Sequence, residues 1–167
     1  YIYHGDNQYE STSTWIFKLN GTFWSEEPEF TIAKNSNGGY LLISIAVPGN
    51  GVHIGGTVYV FLEDGSVIKC TDKNIRDYVD NKSIALYDFT KDEIEQLKSS
   101  HIVKIRFSIK NIFNNDGDAY TADNKKDNEY KYVDESKMTF EEKFKLQMQK
   151  TQGHYYHTDS EVRELFD

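Results

Sequence analysis

Three stretches of the chain, and a few single residues, hold residue types that could do chemistry. In "PGNGVHIGG" (48–56) glycines recur as they do in loops that cradle phosphate. A dinucleotide-binding turn, however, needs glycine where Ile54 stands and a helix to follow, and a P-loop needs Gly-Lys-Ser/Thr. The residues that follow, "TVYVF", are strand formers rather than a helix, so the stretch is expected to be a flexible connection between strands. "NNDGDAYTADNKKD" (114–127) has the composition of a calcium loop, with Asn114, Asp116 and Asp118 at alternating positions. The obligatory glycine position is Ala119 and the bidentate glutamate position is Lys125, so a turn around Asp116-Gly117 is the expectation.

"GHYYHTD" (153–159) places His154 and His157 three apart near Asp159, a spacing zinc uses on helices. Gly153 argues against a helix at that point, and no second ligand pair matches. His53 and His101 are expected on separate strand edges with nothing pairing to them. Cys70 is the only cysteine. Its neighbours Ile68, Lys69, Thr71 and Asp72 supply no general base, so a buried strand thiol is expected. No Gly-x-Ser-x-Gly elbow occurs. Glu26, Glu27 and Glu29 lie too close in sequence to face one another across a glycosidic bond. No catalytic, cofactor-binding or metal-binding residue is therefore assigned, and no cofactor is expected.

These stretches must be positioned by a small fold. The 167 residues suit one domain with extensions, and hydrophobic residues at 38% fill one core. Twelve tyrosines and ten phenylalanines lean towards pleated, half-buried surfaces. A net charge of −8 disfavours nucleic acid, whose phosphates demand cationic side chains. With one cysteine there is no internal disulfide, so packing must carry the fold. No apolar run approaches the roughly 20 residues of a membrane-spanning helix. The chain begins at Tyr1 rather than Met, so an initiator, and room for a leader peptide, is expected upstream. Asn20-Gly21-Thr22 and Asn81-Lys82-Ser83 match the N-glycosylation pattern, which matters only in a eukaryotic secretory protein.

Along the chain, residues 1–13 read as an N-terminal arm, with Tyr1, Tyr3 and Tyr9 as anchors if it docks. From Trp15 apolar runs alternate with turn signals. "TWIFKLNGTFWSEE" breaks at Asn20-Gly21, a pair suited to a tight hairpin. "PEFTIAK" puts Phe30 and Ile32 on one face, and "YLLISIAV" is the best central strand. "VYVFLEDGSVIKC" is a hairpin closed at Asp64-Gly65. "SIALYDF" and "IVKIRFSI" complete the set, the latter with Val103, Ile105, Phe107 and Ile109 facing inward. Six to eight such strands predict a mainly β chain: an antiparallel β-sandwich (Ig-like) over 14–113, with one short connecting helix.

That helix begins at Thr90, whose hydroxyl can accept from the Glu93 amide while Glu93 answers the Thr90 amide. Phe89 and Ile94 occupy the staple positions, and Ile94 with Leu97 forms the stripe to be buried. Residues 114–138 read as an acidic linker. Residues 139–167 read as a helical C-terminal arm with two more capping boxes, Thr139 with Glu142 and Thr158 with Glu161. Phe140, Phe144 and Met148 recur at i, i+4 and i+8, with Leu146 off to the side. Val162, Leu165 and Phe166 follow in the last helix.

At "LEDGSVIK" and "YDFTKDEIEQLKSSHIVKIRFSI" the chain resembles a group of small uncharacterised bacterial and phage-associated proteins. Their pattern runs aromatic strand, "LEDG" hairpin, threonine-capped "EEIEKL" helix, then "I-x-x-I-R" strand, and covers about residues 28–110 here. The resemblance implies a β-sandwich from an exported, surface or virion setting, and it brings no catalytic motif. The expected function is a non-enzymatic accessory or structural protein. It would engage a protein partner or larger assembly through Tyr1, Tyr3, Tyr9, Phe140, Phe144, Met148, Val162, Leu165 and Phe166. The alternatives are a carbohydrate-binding module stacking sugars on Trp15, Trp24 or Tyr40, and a hydrolase with dispersed site residues.

Overall fold

Alternating apolar residues in the longer runs form strands with one face turned inward. The computed structural model describes residues 1–21, 26–126, 134–151 and 154–167, the side chains of 149–151 excepted. Twelve strands are present among them. They are β1 (Ile2–His4), β2 (Asn7–Tyr9), β3 (Trp15–Ile16), β4 (Lys18–Leu19), β5 (Glu29–Asn35), β6 (Gly38–Ala46), β7 (Val52–Leu62), β8 (Val67–Cys70), β9 (Arg76–Val79), β10 (Lys82–Thr90), β11 (Ile102–Asn111) and β12 (Gly117–Asp123). Three α-helices join them: α1 (Lys91–Ser99), α2 (Phe140–Thr151) and α3 (Thr158–Phe166).

Two antiparallel five-stranded sheets make the sandwich, in the orders β3-β5-β6-β10-β9 and β4-β12-β11-β7-β8. The short β3 and β4 lie on one edge of each sheet; from β5 the chain runs through the first sheet with β6, crosses for β7 and β8, returns for β9 and β10, and crosses again for β11 and β12. With β5, β6, β10 and β9 as A, B, E and D, and β12, β11 and β7 as G, F and C, this is the immunoglobulin order with β8 added beside C. The Ig-like sandwich expected from the strand pattern is the architecture observed.

The core lies between the sheets. Phe30, Ile32, Leu41, Ile43, Ile54, Val58, Val60, Ile105 and Phe107 are each fully buried. The Phe30 ring packs against Phe17 at 5.0 Å and Phe107 at 6.2 Å. β11 departs from the expected alternation at its start. A register shift between Ile102 and Lys104 leaves Ile102, rather than Val103, buried. The extra residue of a bulge reverses the facing of what precedes it.

The stretch "GVHIGG" does not form a loop between strands: Val52 to Gly56 are already the first half of β7. Residues 117–123, expected within a linker, form β12 and pair with β11 from Lys104↔Asp123 to Lys110↔Gly117. Trp15 and Ile16 pair with β5, whereas Lys18 and Leu19 pair with β12, so the run "WIFKL" changes sheets at Phe17. The return leg of the hairpin expected at Asn20-Gly21 lies outside the described residues. Asp80 and Asn81 both have positive φ and close the β9–β10 hairpin in two residues, as a type I′ turn requires.

Helix α1 forms as its sequence dictates. Thr90 Oγ1 accepts from the Glu93 amide at 3.2 Å and Glu93 Oε1 accepts from the Thr90 amide at 2.8 Å. Ile94 and Leu97 are buried. The helix packs over the start of β6, where Gly39 leaves room: a Cβ there would stand 2.8 Å from Ile94 Cδ1 and 2.9 Å from the Ala33 carbonyl.

Candidate functional site

The residues expected to meet a partner divide sharply by burial. In the N-terminal segment, β1 and β2 form a hairpin laid on the outer face of the first sheet. Ile2 is buried there against Ala33 and Leu86, with Tyr9, Tyr40 and Leu42 around it. Residues 10–12 then run along the β5 edge, with the Thr12 amide donating to the Ile32 carbonyl and the Lys34 amide to that of Glu10. The anchor of this segment is Ile2, supported by Tyr9, whose ring meets Tyr40 edge-on at 5.2 Å. Tyr1 and Tyr3 point outward and are exposed.

Helix α3 is built into the domain. Val162 is fully buried in the main core, and Phe166 packs against that core. The capping box expected at its start does not form. Thr158 lies one residue inside the helix, His157 holds the cap position without a side-chain bond, and the Thr158 side chain turns inward. Its hydroxyl accepts from the Ile102 amide at 2.8 Å. Glu161 is used elsewhere: Oε2 accepts from the buried Trp15 indole N–H at 2.5 Å, and Oε1 accepts from the Ser13 amide at 3.0 Å. A buried indole N–H needs an acceptor, and Glu161 is the one within reach. Asn124 completes the joint, donating to the carbonyls of Ile102 and Tyr156 and accepting from the Tyr156 amide.

Helix α2 is different. Thr139 Oγ1 accepts from the Glu142 amide at 3.2 Å, the first half of the expected box. Glu141 and Glu142 sit in the first turn, where the helix dipole favours them. Phe140 is 86% exposed, Phe144 57% and Met148 46%. Leu146, displaced round the helix from this stripe, is half-buried.

The stretches first singled out for chemistry resolve as follows. Cys70 is buried, and burial, followed by the charges of Glu93 and Asp88, pushes its thiol up to about 12. Asp72 joins two sheets. Its Oδ2 accepts from the Gly56 amide at 2.8 Å, and both oxygens accept from Arg76. Burial alone would raise this carboxyl, but the amides of Asn74 and Gly56 and the Arg76 guanidinium outweigh burial and hold it low. Tyr87 Oη donates to the Gly56 carbonyl at 2.9 Å. His101 does have a neighbour: it stacks on Tyr155 at 4.6 Å, and His157 lies 4.7 Å beyond Tyr155. Among the described residues no three His, Cys, Asp or Glu converge as a metal site would, and no helix is long and apolar enough to cross a membrane.

Of the aromatics considered for sugar stacking, Trp15 is fully buried, Tyr40 is half-buried beside Tyr9, and Trp24 lies outside the described residues. Compared with known proteins, the chain matches no family model, no curated protein and no solved structure.

Proposed function

We propose that this chain is a non-enzymatic, Ig-like accessory domain that joins a larger protein assembly through helix α2. The observation that carries this reading is the contrast between two helices of one tail. In α3 the apolar residues are consumed by the domain itself, Val162 completely. In α2 a stripe of the same kind, Phe140 and Phe144 one turn apart with Met148 beyond them, faces solvent. A large apolar side chain gains about 1.5–3 kcal/mol on full burial. A capped, amphipathic helix with anchors at i, i+4 and i+8 is the shape that docks into an apolar groove of a protein partner. Tyr1 and Tyr3, exposed on β1, offer a second contact. In a surface or virion setting of the sort the resemblance implies, such a domain would decorate or bridge subunits.

The test is a photo-crosslinking residue at position 144 in the full chain, expressed in its native host, beside the double variant Phe140→Ser/Phe144→Ser. The expected result is one defined adduct with a second protein, lost in the double variant, with the urea midpoint of unfolding unchanged. An adduct only with a second copy of the chain, or a double variant that unfolds more easily, would overturn it.

A further inference from the structure

A second surface lies on the outer face of the sheet that contains β7, β11 and β12. Buried Ile105, Phe107 and Ile109 turn inward, so Lys104, Arg106, Ser108 and Lys110 turn outward. Register fixes their neighbours. Lys69, Tyr59, Arg106 and Thr121 form one row across the strands, and Val67, Phe61, Lys104 and Asp123 form the next. Ser108 lies beside Gly55 and Ala119, and Lys110 beside His53. The middle of the face is therefore made of small residues, and it sinks into a shallow trough of about 480 Å³. Gly56, Thr57, Ser108 and Ala119 floor it, with Tyr59, Phe61 and Arg106 towards one end and Lys110 towards the other.

Gly56 has φ +75, and the Lys110 stem lies across the space its Cβ would fill. Along β11, Arg106 and Lys110 are separated by roughly 13 Å, four residues at about 3.3 Å each. Among the described residues neither makes an ion pair, while the chain as a whole carries −8. Asp123 is the carboxylate in these rows, against Lys69, Lys104, Arg106 and Lys110.

We infer that this trough binds an acidic oligosaccharide, a sugar chain bearing carboxylate or sulfate groups. The chemistry matches group by group. Tyr59 offers a ring against which the face of a sugar can pack. Thr57 and Ser108 offer hydroxyls to sugar hydroxyls. Arg106 and Lys110, the latter with its ammonium over Gly56, offer charge-assisted bonds to two anionic groups of one sugar chain. Nucleic acid would need ring faces for successive bases to stack on, and of the two rings here, Tyr59 and Phe61, the second already has the Lys104 ammonium over it at 4.8 Å. A glutamate-rich peptide has no apolar ring face to set against Tyr59.

The full chain is titrated by calorimetry with a galacturonate tetramer and with a sulfated disaccharide-repeat tetramer. A neutral glucose tetramer, a glutamate peptide and oligo(dT) serve as competitors of other chemistry. An acidic sugar is expected to bind, more weakly as salt rises, and at least about tenfold tighter than the neutral one. Arg106→Ala and Lys110→Ala should each weaken it about tenfold, Tyr59→Ala comparably, and Tyr59→Phe little. Whichever acidic tetramer binds identifies the anionic group. Urea midpoints show that each variant is folded, and Arg106→Glu, at an exposed position, replaces Tyr59→Ala if that variant does not fold. The inference falls if neither acidic sugar binds, if the neutral sugar binds equally, if the substitutions have no effect, or if oligo(dT) or the glutamate peptide displaces the sugar. The α2 variants leave this test untouched, so the two surfaces stand or fall separately.

Discussion

Replacing Thr158 distinguishes a helix cap from a core hydrogen bond by the sign of the effect. Thr158 is 1% exposed and its hydroxyl receives the amide of Ile102, itself fully buried. Thr158→Val keeps the shape and removes the acceptor, leaving a buried N–H unpaired at a cost of about 1–3 kcal/mol. At this chain length a loss of about 2 kcal/mol lowers Tm by roughly 4–8 °C. Thr158→Asp is the sharper probe. At an exposed N-cap, aspartate is at least as good as threonine and should leave stability level or raise it. In the buried site the added charge must be desolvated, and the loss should exceed about 2 kcal/mol. Urea unfolding followed by tryptophan fluorescence reads both variants, because Trp15 is fully buried in the native domain. An Asp variant as stable as the parent would refute the packing account of α3.

Three further outcomes follow from the same geometry. Gly39→Val drives a side chain into Ile94 and the Ala33 carbonyl and should cost about 1–3 kcal/mol in urea unfolding, whereas Gly49→Ala, with open space around it, should cost little. The Asp72 carboxyl is held low in the folded state, so its contribution is complete above the unfolded value of about 3.9 and disappears as pH falls through the folded value. The stability gap between the parent and Asp72→Asn should therefore be widest near neutral pH and close in acid; an equal gap at both extremes would contradict the assignment. Cys70, buried and with its thiol pushed up to about 12, should react with iodoacetamide at pH 8 only as fast as the domain opens, and rapid labelling of the native protein would show otherwise.

Where structure is set by neighbours in sequence, it was readable. Thr90, Glu93, Phe89 and Ile94 specify α1 within a single turn, and the apolar run from Tyr40 gives β6 at the centre of its sheet. The hairpin at Asp64-Gly65 is likewise local. β12 was hidden because three of its residues are exposed, three are only half-buried and Ala122 alone is fully buried, so its composition resembles a linker. Helices α2 and α3 carry comparable apolar stripes, and periodicity alone cannot say which one the domain keeps. The decision rests on Thr158 and Glu161, whose partners Ile102 and Trp15 lie 56 and 146 residues away. Asn124 had no signal beyond a polar residue in an acidic stretch. The basic trough emerges only after strand pairing sets Arg106 beside Tyr59 and Thr121.

The bond from Glu161 back to Trp15 and Ser13 also governs when this domain can mature. During synthesis at about 5–20 residues per second, the β strands emerge well before the helix that accepts the indole proton. Until residues 158–166 clear the ribosome, the Trp15 edge and the bed for Val162 stay open to water and to other nascent chains. Completion is therefore gated by residues 158–166, and a ribosome stalled shortly before they emerge would hold a nearly assembled sandwich with an unsealed seam.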